Sequence, residues 1–152
     1  MSQIKKQIAY NSPLMYTFGA WAPGHSMLFK REILATALPF SNWVTHDYLL
    51  GFAATCHQGI NYLPISLVLY RQHETNAIGA DLTKSKKNYQ SRQERNDRIC
   101  ERLKILAERC PSSNEKSIFQ RLHQHFSGSG LLARIQRFAL VFQHRNTMLA
   151  YK

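Results

Sequence analysis

An apolar segment that begins at an acidic residue and ends before a glycine is the strongest local signal in this sequence. Asp47 lies at its start and Gly59 just past its end, and the apolar residues between them are Leu49, Leu50, Phe52, Ala53, Ala54 and Cys56. An acid in the first turn and a glycine beyond the last turn are typical of helix termini. The pattern therefore predicts a helix with Asp47 at its N-terminal end.

A second apolar run, residues 67–70, follows Pro64. Its length and apolar side chains predict a buried strand. This strand would deliver Arg71, Gln72 and His73 to the edge of a sheet, where the sequence loses its periodicity and predicts a loop. The carboxylate of Asp47, the guanidinium of Arg71 and the imidazole of His73 are thus expected to lie near one another, each at the end of a buried element.

The chain before the predicted helix favours a mixture of helix and strand. We expect a short helix near residues 3–10, then loop, and a strand over residues 24–29. A further helix is expected over residues 30–38, because Pro39 would end it. Residues 41–45 are predicted to form a loop that leads to Asp47.

The composition changes beyond Gly79, where the chain becomes polar and basic. Few apolar residues occur over 81–98, after which they recur at helical spacing before Pro111 at positions Ile99, Leu103, Leu106 and Cys110. This pattern predicts a long, largely solvated helix with an apolar stripe in its second half.

Two more helices are predicted toward the C-terminus. Ser112 and Glu115 form a capping-box pattern before the first of them, and the Ser-Gly-Ser-Gly break at 127–130 precedes the second. The second contains Arg134 and Arg137, so it is too charged to span a bilayer, although it could lie on one.

Charge is unevenly distributed along the chain. The whole sequence has 20 basic and 9 acidic residues, a net charge of +11. Residues 1–80 hold 5 basic and 3 acidic residues (net +2), and residues 81–152 hold 15 and 6 (net +9). The basic part would attract phosphate groups on a nucleotide-sugar, an anionic lipid or a nucleic acid, and charge alone does not choose among them.

Cysteine usage favours a reducing compartment. The three cysteines, Cys56, Cys100 and Cys110, lack C-x-x-C spacing, so neither a disulfide framework nor a zinc knuckle is indicated. The polar N-terminus does not resemble a signal peptide. We therefore expect a cytoplasmic protein, which could also be peripheral at the inner face of the membrane.

An ordered set of motifs spans residues 23–80. It reads G-H-S-M-L-F-K-R-E-I-L, P-F, H-D-Y-L-L and Q-G-I-N-Y-L-P-I-S-L-V-L-Y-R-Q-H-E-T-N-A-I-G-A. This order resembles the second half of the catalytic domain of family 2 glycosyltransferases, in particular the rhamnosyltransferase-like bacterial enzymes that build surface polysaccharide. The nucleotide-binding half of that family, with its D-x-D motif, has no counterpart in the sequence.

The resemblance implies an α/β fold. Residues 1–80 would form the acceptor-side, C-terminal part of a GT-A-type nucleotide-diphospho-sugar transferase domain with an incomplete sheet. Residues 81–152 would form a basic α-helical extension. Because such a sheet would have an unpaired edge, we expect a homo-oligomer or a separate polypeptide that carries the donor half.

The resemblance assigns Asp47 as the catalytic base of inverting transfer. The alternative is that Asp47 only caps its helix and interacts with the helix dipole, as an aspartate in a first turn usually does. On the acceptor side the implied residues are Gly24, His25, Trp43 and His46. His25 replaces a smaller residue that is usual in the family, and it could equally be a strand-end residue that faces water. Trp43 could stack on a sugar or cover the core.

On the donor side, Arg71 and Asn76 would bind the diphosphate and His73 would bind a divalent metal, Mg or Mn, that depends on the missing D-x-D half. Taken singly, a loop histidine bonded to backbone and an arginine in a surface ion pair are the more common situations. Asn76 also suits a loop-shaping role.

The sequence thus favours a fragment of a glycosyltransferase, which would transfer a sugar from a nucleotide-sugar to a saccharide or lipid-linked acceptor. One alternative is a non-enzymatic binding module that kept the fold. Another is a basic helical protein for nucleic acid, which is less favoured because aromatic residues are not interleaved with the C-terminal basic residues. An anionic membrane surface is a further possible partner.

Overall fold

The computed structural model describes residues 9–18, 24–65 and 91–150, and most of these residues are helical. The α-helices in these ranges are α1 (Leu34–Ala37), α2 (His46–His57), α3 (Arg92–Arg109), α4 (Ser113–Ser127), α5 (Leu131–Gln143) and α6 (Arg145–Met148). Short 3₁₀ helices occupy Pro13–Tyr16, Gly24–Ser26 and Arg31–Ile33.

The predicted α/β fold is wrong for the described part of the chain. These ranges contain no strand and no sheet, and their β structure is limited to an isolated antiparallel bridge between Tyr10 and Ile60. The expected GT-A sheet is therefore not seen. The predicted strand at residues 67–70 lies outside the described residues, as do the first six residues of the predicted helix at 3–10.

The strand predicted over residues 24–29 is replaced by a 3₁₀ turn and irregular chain. The apolar run in it is only three residues long, Met27 to Phe29, and no neighbouring strand in the described ranges offers hydrogen bonds. Leu28 is fully exposed and Phe29 is 43% exposed. Apolar side chains alone do not make a strand when the backbone has no partner.

The predicted helix over residues 30–38 is present as the 3₁₀ turn Arg31–Ile33 followed directly by α1. Leu38, which precedes Pro39, has an extended backbone with ψ 153°. The proline ring disfavours a helical conformation for the residue before it, so the helix ends where the sequence predicts.

Helix α2 also forms where predicted, and Gly59 explains its end. The Gly59 N–H donates to the Ala54 carbonyl, and Gly59 has φ +86°. A Cβ on this residue would lie 2.6 Å from the Tyr10 carbonyl oxygen. Gly59 therefore ends the helix and also admits the backbone of Tyr10, which pairs with Ile60 through two hydrogen bonds.

Serine or glycine precedes each of the helices α3, α4 and α5. Ser91 forms a capping box with Glu94 at the start of α3. Ser112 is the N-cap of α4 as predicted, but its hydroxyl donates to the Glu115 carboxylate and no side-chain hydrogen bond caps the backbone. Gly130, with φ +112°, precedes α5. None of the helices in the described ranges is long and apolar enough to cross a membrane.

The main core joins residues that are distant in the sequence. Helices α3 and α4 pack side by side, and their buried residues meet Phe52 of α2, the N-terminal segment around Tyr16, and Met148 of α6. The fully buried side chains of this core include Phe52, Leu103, Leu106, Phe119, Leu122 and Met148. The predicted boundary between residues 1–80 and 81–152 lies outside the described residues, but described parts on both sides of it contribute to this core.

A buried tyrosine cluster connects the N-terminal segment to α2. The Tyr16 ring lies edge-to-face against Tyr10 and Tyr48, with centroids 5.2 and 5.3 Å away. Its hydroxyl lies against the backbone of Gly51, where any side chain would collide with it. Within the described residues the Tyr16 hydroxyl has no hydrogen-bond partner, and burial raises its pKa. In contrast, the Tyr48 hydroxyl donates to the Tyr16 carbonyl.

Two tyrosine-to-phenylalanine variants should change stability in opposite directions. Tyr16→Phe removes a buried hydroxyl that lacks a partner, so we expect the free energy of unfolding to rise by about 1 kcal/mol. Tyr48→Phe removes a donor and leaves the Tyr16 carbonyl with one fewer hydrogen bond, so we expect a decrease of about 1 kcal/mol. Urea unfolding of both variants beside the wild type measures the difference. A loss of stability in Tyr16→Phe would contradict the interpretation of the cluster.

Candidate functional site at the start of helix α2

The N-terminus of α2 is held in place from both sides. Val44 and Leu49 are buried against Ile105 of α3. At the end of α3, the Arg109 guanidinium donates to the carbonyl of Ala37, the last residue of α1, and to the carbonyl of Pro39. A cation at a helix C-terminus satisfies carbonyls that have no partner within the helix. The first turn of α2 is thus fixed relative to α1 and α3.

Asp47 lies in this first turn, and backbone and side-chain groups donate to its carboxylate. The Tyr48 N–H donates to Oδ1 at 2.8 Å. Partial burial acts to raise the pKa of Asp47, but hydrogen bonds from Thr45 and Tyr48, the nearby His46 and the Gly24 N–H together hold the pKa below its usual range. Asp47 is therefore a carboxylate at neutral pH.

Gly24 brings a second segment against Asp47 and His46. A Cβ at Gly24 would lie 3.2 Å from Nε2 of His46 and 3.4 Å from Cβ of Asp47. Gly24 and Asp47 belong to different motifs and are more than twenty positions apart in the sequence, yet the two motifs touch here. A larger residue at position 24 would push on the imidazole, so the contact favours glycine.

The remaining acceptor-side residues are exposed around this contact. His25 follows Gly24 in the same 3₁₀ turn and is exposed to solvent. Trp43 is 56% exposed, and Val44 rather than Trp43 enters the core. The interpretation of Trp43 as a cover over the core is therefore wrong, whereas stacking on a sugar stays a prediction. The Phe40 ring lies 6.1 Å from the His46 ring, edge-to-face.

The predicted donor-side residues cannot be placed. Arg71, His73 and Asn76 lie outside the described residues. Within the described ranges, no three histidine, cysteine or acidic side chains come together as a metal site. The proposed role of His73 as a metal ligand stays a prediction.

Sequence inspection missed two groups that shape the site. The Thr45 hydroxyl donates to the Asp47 carboxylate, and Arg109 links α3 to the end of α1. A hydroxyl two positions before an acid at a helix start is a local signal that could have indicated the first. Nothing local could have indicated the second, because Arg109 and Ala37 are 72 positions apart.

Chemically, the site can accept a proton and bind hydroxyl groups. A carboxylate accepts hydrogen bonds only, and an exposed imidazole both donates and accepts. Because its pKa is low, Asp47 is a weak base, which would take a proton late, when the donor group has become more acidic through reaction. A shallow, open depression nearby is lined by Arg31, Glu32, Leu34, Ala35 and Leu38, and includes none of these groups.

Two of the cysteines meet although their sequence spacing gives no sign of it. The Cys56 thiol donates to Cys110, which raises the pKa of Cys56 and lowers the pKa of Cys110. Cys110 is buried in the main core and also donates weakly to the Ser112 carbonyl. Both cysteines are free thiols.

No protein-family model, curated protein or solved structure matches this chain.

The low pKa of Asp47 predicts a specific dependence of stability on pH. Asp47→Asn should lower the free energy of unfolding at neutral pH, and the deficit relative to wild type should shrink in acid. An aspartate in the unfolded chain titrates at about 3.9. Because the folded pKa is lower, the carboxylate stabilises the fold above that pH, and this contribution is lost as pH falls through the folded pKa. Urea unfolding from about pH 7 to about pH 3 measures it.

Thr45→Val is the matched control, since it keeps the shape of the side chain and removes only the hydroxyl donor. At neutral pH, Thr45→Val should cause part of the decrease in the free energy of unfolding that Asp47→Asn causes. In the double variant it should cause little further decrease. A deficit of Asp47→Asn that stays constant across the pH range would show that its carboxylate is not favoured in the folded state.

Proposed function

We propose that this chain supplies the acceptor side of a glycosyltransferase that uses a nucleotide-sugar donor. Asp47 is the base that takes the proton of the acceptor hydroxyl, and Gly24, His25, Trp43 and His46 surround that hydroxyl. The acceptor class is a saccharide or a lipid-linked saccharide. The proposal concerns these residues and their chemistry, and not a sheet domain.

The observation that carries the proposal is the contact between Gly24 and the pair His46 and Asp47. Both segments belong to the ordered motifs that resemble family 2 glycosyltransferases, and the contact brings the proposed acceptor-side glycine beside the proposed base. Further support comes from the ionised state of Asp47 and from the exposure of His25, His46 and Trp43 around it.

The reaction assigns a distinct task to each group. The acceptor oxygen forms a bond to the anomeric carbon of the sugar while the nucleoside diphosphate leaves. Since bond formation makes the hydroxyl proton acidic, Asp47 accepts it even with a low pKa. His46 can donate to or accept from a neighbouring hydroxyl, and the exposed Trp43 ring offers an apolar face for the sugar.

Donor binding is assigned to a nucleotide-binding half, whether joined to this chain or separate, because the sequence given contains no D-x-D motif. By resemblance, Arg71 and Asn76 would approach the diphosphate and His73 the metal. All three residues lie outside the part of the chain that the structure describes.

We expect that this chain alone will not release nucleoside diphosphate from nucleotide-sugars, because the residues proposed for donor binding are incomplete. The measurement is incubation of the purified chain with a panel of nucleotide-sugars and manganese, followed by quantification of free diphosphate. Sustained, metal-dependent release would contradict the assignment of donor binding to another half.

The role of Asp47 can be tested in a chimera that joins this chain to a complete donor half of the resembled family. Asp47→Asn should reduce turnover by about 10²–10⁴-fold and leave donor affinity nearly unchanged. The reason is that asparagine keeps the size and hydrogen-bonding shape of aspartate but cannot accept the proton. Donor affinity and turnover are measured separately.

Asp97→Asn is the matched control, because the Asp97 side chain is exposed on α3. Within the described contacts it accepts a hydrogen bond from Gln93 alone. This variant should leave turnover unchanged.

His73→Ala should instead weaken metal-dependent donor binding. Turnover of Asp47→Asn within a few-fold of the parent chimera would make Asp47 a helix cap only, and an inactive parent chimera would count against the proposal as a whole.

A further inference from the structure

Helix α5 has one face toward the core and a wider apolar face toward solvent. Leu140 is 2% exposed and lies in the main core, and the half-buried Val141 packs against that core. The other large apolar residues form what we call the outer face: Leu131 (72% exposed), Leu132 (69%), Ile135 (56%), Phe138 (71%) and Phe142 (54%).

The spacing of the outer face is helical. Leu131, Ile135, Phe138 and Phe142 recur every three or four residues, so they lie in one stripe along α5, with Leu132 beside it. Leu140 is on the opposite side of the helix. Phe138 and Phe142 stack on each other, with ring centroids 6.1 Å apart. A stripe this continuous on a solvent-exposed helix is typical of a surface that contacts something apolar.

The part of the sequence that forms α4, α5 and α6 beyond Glu115 carries charges of one sign only. No acidic residue occurs after Glu115, whereas Lys116, Arg121, Arg134, Arg137, Arg145 and Lys152 are basic. Arg134 is exposed beside the stripe. The Arg145 guanidinium lies 4.2 Å above the Phe142 ring and donates to the Phe142 carbonyl. Arg137 covers Phe126 in the same way, at 4.4 Å.

We propose that the outer face of α5 docks on the surface of an anionic lipid bilayer, with the helix parallel to the membrane plane. Apolar side chains on one face and arginines at its border are what a helix at the boundary between headgroups and acyl chains requires. Its 13 residues give a length of about 20 Å, which suits lying in the interface. This proposal does not depend on the glycosyltransferase function.

Charge complementarity favours a bilayer over a second copy of this chain. Two copies that met through the outer face would bring Arg134 and Arg145 of each close to the same groups of the other, with no acidic residue between positions 116 and 152 to pair with them. Anionic headgroups would instead pair with each arginine, and each such cation near the surface strengthens binding.

The test is co-sedimentation of the full chain with vesicles of phosphatidylcholine alone or mixed with phosphatidylglycerol. We expect binding to the anionic vesicles, weaker binding to the neutral ones, and weakening with added salt. Phe138→Gln and Arg134→Glu should each reduce partitioning to anionic vesicles by about tenfold or more. Circular dichroism checks that helix content is unchanged, and Ile135→Gln replaces Phe138→Gln if that variant alters it.

Two control variants distinguish binding through the outer face from binding through overall charge or through apolar residues elsewhere. Leu28→Gln removes a fully exposed apolar residue elsewhere, and Arg95→Glu reverses an exposed charge on α3. Both should bind as the wild type does.

Three results would overturn the proposal. The first is the absence of binding to anionic vesicles. The second is a loss of vesicle binding with Arg134→Glu but not with Phe138→Gln or Ile135→Gln, which would indicate attraction to any polyanion, including nucleic acid. The third is a lipid-free oligomer in sedimentation velocity that Phe138→Gln dissociates, which would make the outer face an interface between copies.

Discussion

The contact between Phe52 of α2 and Phe119 of α4 is the interaction on which the rest of the structure depends. Both rings are fully buried and lie edge-to-face with centroids 5.9 Å apart. They join the N-terminal segments to the C-terminal helix pair, and buried aromatic pairs of this size dominate core energetics. Because α2 is fixed at its middle by this contact, its first turn can present Asp47 to solvent without loosening the core.

Hydrogen bonds also hold the segments around the site together. Arg109 holds the end of α1, and the Thr45 hydroxyl and the Tyr48 and Gly24 N–H groups surround the Asp47 carboxylate. The Gly24 N–H would lose its partner if the Gly24 turn separated from α2, and the Arg109 guanidinium would lose its partners if the end of α1 separated from α3. The hydrogen bond from Gly24 that helps to form the site therefore also holds the Gly24 turn on α2.

Local patterns in the sequence predicted local structure well. Asp47 and Gly59 indicated the bounds of α2, Pro39 indicated the end of α1, and Ser112 indicated the start of α4. Each signal acts within a few residues and needs no partner elsewhere. The strand at residues 24–29 failed because a strand depends on a neighbour that its own sequence does not contain.

Contacts between distant segments were not predictable from the residues alone. Gly24 meets Asp47, Arg109 meets Ala37, and Cys56 meets Cys110 only after segments far apart in the sequence have packed together. Exposure was equally hidden, since Trp43 and Val44 are adjacent apolar residues and only the packed structure shows which of them is buried. A single sequence records side-chain types but not which elements will cover them.

The packing of Met148 near the Pro13–Tyr16 turn brings the first and last described segments together. This contact joins residues farther apart in the sequence than Arg109 and Ala37, which are 72 positions apart, whereas α3 and α4 are neighbours in sequence. Contacts of high sequence separation form late in folding, because the chain must first lose the entropy of closing the loop. We therefore expect the helix pair to assemble first and the two ends to join last, so that opening of either end would expose both.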